Sequence, residues 1–152
     1  MIELHGWLTI HETYDDEDLC SQEMLDCVRY KVKTILSESG IDTEIKYVNG
    51  VPFLNTLICA NHRTKEIDNI IEMYKNIAQI ATGSYGIIYL RDDEDSEHSN
   101  EFQIYLFMRG NCIYKSDNYF SPCIPTIEGE TCMWKFQFDG VANPNLRRRE
   151  NM

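Results

Sequence analysis

Residues Thr43-Glu44-Ile45-Lys46-Tyr47-Val48-Asn49-Gly50-Val51-Pro52-Phe53-Leu54, continuing to Ala60, decide the fold. Asn49-Gly50 is the strongest short hairpin signal, because both central residues of a type I′ turn need positive φ. The flanks, 43–48 and 51–60, are rich in β-branched, aromatic and apolar residues and read as two antiparallel strands. Pro52 cannot donate to a ladder and so marks an edge or a bulge in the second strand.

A helical pattern lies on each side of this hairpin. Upstream, Leu25, Val28, Val32, Ile35 and Leu36 recur at three- and four-residue steps. The acidic cluster Asp15-Asp16-Glu17-Asp18 leads into that helix, Lys31 and Lys33 come later, and Gly40 follows its end. That ordering suits the helix dipole and a glycine C-cap. Downstream, Thr64 is a candidate N-cap for a stripe of Ile67, Ile70, Ile71, Tyr74, Ile77, Ala78 and Ala81. Thr82-Gly83-Ser84 ends it, with Gly83 as a glycine C-cap and Gly86 just inside a tight strand entry.

The remaining segments read as strands and loops. Ile2, Leu4, Leu8 and Ile10 alternate with Glu3, His5, Trp7, Thr9 and His11, a period of two that gives a strand with one apolar face. Gly6 interrupts it and marks a bulge or a close backbone approach. Tyr85 to Leu90 is a short apolar run, read as a buried strand, and Arg91 to Asn100 is an exposed acidic loop. Phe102, Ile104, Leu106 and Met108 alternate in a further strand, which Gly110-Asn111 turns back into Cys112–Lys115. From Ser121 the chain is irregular, with Trp134, Phe136 and Phe138 alternating later.

The order β-α-β-β-α-β-β-β predicts an α+β fold. An antiparallel or mixed sheet carries both helices on one face, as a ferredoxin-like core with C-terminal strand additions. No repeat or linker divides the chain. Residues 1–146 are expected to form a single domain, and 147–152, with Arg147-Arg148-Arg149, a frayed tail. The first strand is central in this topology, so Trp7 lies on the sheet face away from the helices. Either the Trp134–Phe138 segment covers it or it belongs to a binding surface.

The 152 residues are 43% hydrophobic and 26% charged, which is ordinary globular material. Charge is the unusual property: 25 acidic against 14 basic side chains give a net charge of -11. Such a surface repels phosphate backbones and anionic membranes and attracts basic partners. Direct nucleic-acid binding is therefore not expected. The start Met1-Ile2-Glu3-Leu4-His5 has no basic and apolar leader, and no apolar run reaches the ~20 residues of a membrane helix, so a cytoplasmic location is expected. The six cysteines (20, 27, 59, 112, 123 and 132) form no Cys-x-x-Cys pair and read as buried reduced thiols.

Catalytic signatures are absent from the sequence. There is no His-Glu-x-x-His, and on one extended strand face His5 and His11 are about 20 Å apart, too far to share a metal. Gly83-Ser84-Tyr85-Gly86 lacks the Gly-x-Ser-x-Gly pattern and runs from helix to strand, the reverse of a nucleophile elbow. The acidic stretch from Asp92 has Glu97 where a calcium loop needs glycine. No cofactor and no enzymatic activity are expected. Rival readings are an acidic regulatory or scaffold module, a nucleic-acid mimic, and a small-molecule enzyme using the sheet face around His5, Trp7 and His11.

Three strings together point to a family. Ile2-Glu3-Leu4-His5-Gly6-Trp7-Leu8, Gly83-Ser84-Tyr85-Gly86 through Tyr89-Leu90-Arg91-Asp92-Asp93-Glu94-Asp95, and Ser121-Pro122-Cys123-Ile124-Pro125-Thr126-Ile127 resemble the immunity protein 7 family of bacterial polymorphic toxin systems, over residue 1 to about 130. The resemblance implies a small non-enzymatic inhibitor that binds a cognate toxin effector domain, commonly a nuclease. Independently of it, a monomer or a weak dimer paired through a free strand edge is expected. On the inhibitor reading Asp92, Asp93, Glu94 and Asp95, with Trp7 and Tyr89, form part of the toxin-facing surface, and Asp15, Asp16 and Asp18 add to it. The alternative is that Trp7, Gly83, Gly86 and Arg91 serve the fold, with Arg91 pairing an acidic neighbour.

Overall fold

The computed structural model describes residues 1–16, 19–41, 43–117, 126–127 and 130–131. Asn49 (φ 51°) and Gly50 (φ 82°) both occupy the left-handed region, and the type I′ turn they make joins β2 (Glu44–Val48) to β3 (Val51–Ala60). Around this hairpin lie β1 (Ile2–Thr9), α1 (Gln22–Glu38), α2 (Lys65–Ile80), β4 (Tyr85–Asp92), β5 (Phe102–Met108) and β6 (Asn111–Asp117). The strand order is β2-β3-β1-β4-β5-β6, with every neighbouring pair antiparallel. The first four positions are the ferredoxin-like core, and β5 and β6 extend it beyond β4. Two further short strands, β7 (Thr126–Ile127) and β8 (Glu130–Thr131), pair with each other.

Both helices pack on one sheet face. Ile2, Leu4 and Leu8 of β1, Leu54 of β3, and Ile88 and Leu90 of β4 are buried there against Ile67, Ile70, Ile71, Tyr74 and Ile77 of α2. Helix α1 is shallower: Leu25 and Val32 are buried, while Val28, Ile35 and Leu36 are partly covered. The Tyr74 hydroxyl donates to Thr56 Oγ1 at 3.0 Å, and burial pushes its pKa up to about 12. Its ring lies against Gly6, where an added Cβ would meet the Tyr74 hydroxyl at 3.1 Å. Gly6 is therefore a close-approach glycine, and the ladders on both sides of it run without a bulge.

Several local expectations need correction. Strand β3 is internal and regular, and Pro52 lies one residue beyond the β1–β3 ladder, which ends at Thr9↔Phe53. The β5–β6 turn is Arg109-Gly110, with φ of 50° and 72°, one residue earlier than Gly110-Asn111. Helix α1 starts at Gln22, later than the acidic cluster, because Ser21 is its N-cap and accepts from Met24 N–H at 3.2 Å. Thr64 stands at the N-cap of α2, but its hydroxyl makes no capping bond. Helix α2 ends at Ile80, and Gly83 is not in the left-handed region. Strand β4 runs two residues further than expected, so Arg91 and Asp92 are buried strand residues rather than loop. Cys27 and Cys59 are exposed thiols, not core residues. Asp18, Cys123, Cys132, the Trp134–Phe138 segment and the 147–152 tail lie outside the described residues.

Candidate functional site

The two acidic clusters sit at opposite ends of β1. The loop after β4 is held beside Met1: Asp93 pairs with the terminal ammonium, and its N–H donates to the Met1 carbonyl at 3.1 Å. The ammonium holds the Asp93 carboxyl below its ordinary range, first through the hydrogen bond and then through charge. Asp15 and Asp16, both exposed, follow the other end of β1, where the chain passes over Gly83. A strand of eight residues, about 26 Å long, separates the two ends.

Within the loop after β4, two carboxylates, those of Asp92 and Asp95, are engaged by the loop's own backbone. Asp92 is only 5% exposed, and its Oδ1 accepts the Glu94 N–H at 3.1 Å. Asp95 Oδ1 accepts the N–H groups of Glu97 (2.9 Å) and His98 (3.1 Å), and Oδ2 accepts from Gln103 Nε2 at 3.0 Å. The Glu97 N–H bond leads the causes that lower the Asp95 pKa. Glu94 is the outward member, with Oε1 2.7 Å from His62 Nδ1. These bonds make the acidic run a folded turn as well as a charged surface.

Gly83-Ser84-Tyr85-Gly86 is the docking seam between β4 and the chain leaving β1. A Cβ on Gly83 would lie 2.5 Å from the Thr13 carbonyl carbon and 2.9 Å from His11 Cβ. One on Gly86 would lie 2.7 Å from Leu8 Cα and against the Trp7 carbonyl oxygen. The Ser84 hydroxyl is fully buried and accepts the His11 N–H at 3.2 Å. Serine here ties the two chain segments together.

Trp7 and Tyr89 share the sheet face opposite the helices. Strand pairing sets Trp7 between Asn55 and Ile87, and His5 between Leu57 and Tyr89. Trp7 is 39% exposed and Leu57 70%. Tyr89 is half-buried because it stacks on Phe102, with centroids 4.5 Å apart. Toward the β4 start, Tyr85 is 51% exposed, meets Trp7 at 6.1 Å and 90°, and stacks on His11 at 6.2 Å and 8°. Arg91 Nη1 lies 3.6 Å from Glu3 Oε1 on the same face, so the acidic neighbour of Arg91 is Glu3. An open hollow of about 760 Å³ lies beside Trp7, bordered by His5, Lys46, Asn55 and Leu57.

Sequence reasoning missed Tyr85 and Leu57. The run 85–90 looks uniformly apolar, yet Tyr85, Ile87 and Tyr89 alternate with Gly86, Ile88 and Leu90, and that period of two was the available signal. Among the described residues no three His, Cys, Asp or Glu side chains converge on a metal geometry. Among the same residues no helix is long and apolar enough to cross a membrane.

The family model described as immunity protein 7 matches residues 1–129. The chain belongs to that family. Neither a curated relative nor a solved structure matches it. The immunity family places the protein in the setting of polymorphic toxin systems. Among the described residues its fold is α+β, an all-antiparallel six-stranded sheet with two helices.

Proposed function

We propose that this immunity protein neutralises a cognate toxin effector domain by binding it, without catalysis or a cofactor, through the sheet face that carries Trp7. The observation behind this reading is the exposure of large apolar side chains on that face. Trp7, Leu57, Tyr85, Met108 and Ile113 are all exposed there, in a chain with net charge -11. Aromatic anchors surrounded by charge are the usual composition of binding hot spots. Tyr89 and Ile87 fill the centre of the patch, with Glu94 near one end and Asp15 and Asp16 near the other. The carboxylates of Asp92, Asp93 and Asp95 act mainly by holding the loop that flanks it.

The acidity favours a basic effector, and a cytoplasmic nuclease fits, since its active site must attract phosphates. Charge complementarity would speed capture of such a ligand in a salt-dependent way. The test is co-expression with the effector domain encoded immediately upstream, scoring cell survival and co-purification together. Survival with a stoichiometric complex that Trp7→Ala disrupts supports the reading. Death of the cells with no complex formed refutes it for that effector and turns attention to a regulatory or scaffold role.

A further inference from the structure

The rings of Trp7 and Tyr85 meet at right angles on the open face, with centroids 6.1 Å apart. In a T-shaped pair each inside corner is bounded by two ring faces, one from each partner. Ring faces carry the negative end of the aromatic quadrupole, so such a corner attracts a cation twice over. His11 stacks on Tyr85 at 8° and limits how far its ring can turn. Tyr85 is further fixed at its backbone, where N–H and C=O both bond the Thr9 hydroxyl at 3.1 and 3.0 Å. The corner is thus prearranged, and both rings remain open to solvent.

The open face carries both signs of charge, and its basic member beside Trp7, Lys46 of β2, lies on the side away from β4 and Tyr85. The chain that leaves β1 through His11 carries the exposed Asp15 and Asp16 four and five residues later, at this same end of the sheet. We propose that the Trp7–Tyr85 corner is an anchor for an arginine side chain of the bound partner. Its guanidinium packs against the two rings, with the Asp15–Asp16 loop supplying the countercharge. Arginine suits the corner better than lysine because its planar, weakly hydrated head stacks on a ring face, whereas an ammonium holds its water. This assignment rests on the neutralisation reading above and names the partner chemistry that its surface takes.

The test uses a fluorescein-labelled hexa-arginine peptide, with anisotropy read at fixed ionic strength against the intact protein and its Trp7→Leu and Tyr85→Leu variants. Leucine keeps an apolar side chain and the net charge but removes the ring face. Urea midpoints confirm that each variant is folded. Each variant is expected to weaken hexa-arginine binding about two- to five-fold, with hexa-lysine binding less affected. Equal affinity for all three proteins would mean that acidity alone draws the peptide, and would overturn the anchor. A response to maltohexaose in place of hexa-arginine would assign the corner to a sugar and also overturn it. Protection from the effector, with no dependence of peptide binding on the rings, removes the anchor and leaves neutralisation standing. Ring-dependent peptide binding without protection does the reverse.

Discussion

The Thr9 hydroxyl both accepts from the Tyr85 N–H, at 3.1 Å, and donates to the Tyr85 carbonyl, at 3.0 Å. The β1–β4 ladder ends one step earlier, at Leu8↔Gly86, so a side chain completes the pairing that backbone has left off. Thr9 is fully buried. Thr9→Val keeps the shape and leaves two peptide groups without their partner. A loss of about 1–3 kcal/mol in urea unfolding is expected, with Thr9→Ser close to wild type.

Gly83 and Gly86 admit no side chain, since an added Cβ meets backbone atoms of Thr13, Trp7 and Leu8, which cannot swing aside. Gly83→Ala and Gly86→Ala should each destabilise by more than about 3 kcal/mol, seen as lost soluble yield or a collapsed thermal transition. Gly6→Ala should be milder, because its nearest neighbours are side-chain atoms of Tyr74 and Ile88 at 3.1 and 3.2 Å.

Arg109 holds φ at 50° in the β5–β6 turn, a region that disfavours most side chains. Arg109→Asn restores the Asn-Gly pair that the β2–β3 turn already uses. It should raise stability by about 0.5–1 kcal/mol, read as a higher urea midpoint with unchanged slope.

Asp95 and Asp93 have lowered pKa values, through the Glu97 N–H and the terminal ammonium respectively. A group whose folded pKa lies below its unfolded one contributes stability that is present above the unfolded value, about 3.9 for aspartate, and is lost as pH falls through the folded value. Acid unfolding should therefore steepen below about pH 4. Asp95→Asn should be less stable at pH 7 and show a flatter profile in that acid range, because it no longer titrates. A profile that matches wild type would show that the loop bonds contribute nothing to folding.

The core topology was legible because its signals are local and mutually consistent. Asn49-Gly50 has to turn, the α1 and α2 stripes have to face a sheet, and the order of elements then leaves few arrangements. The misread positions are those where one residue serves a distant segment. Gly83 looks like a helix stop, but its lack of a side chain is needed by Thr13, some seventy residues away in the chain. Asp92 and Asp95 look like solvated charge, yet their oxygens bond N–H groups of the turn they begin, which charge counting does not reveal. Arg109 shows the converse limit: the turn takes a residue whose type gives no hint of positive φ. Alternation and the element order together put Trp7 on the open face, whereas the corner it makes with Tyr85 depends on β1–β4 register, which only the folded sheet defines.

The backbone of Trp7 is clamped between β3 and β4, with Gly86 drawn up against its carbonyl, although its ring is exposed. A ring carried on so rigid a mount surrenders little conformational freedom when a partner closes over it. Contacts made there are retained as affinity instead of offsetting an ordering cost, and they lengthen residence time more than they hasten arrival. On the neutralisation proposed above, slow release of the partner is the property that counts.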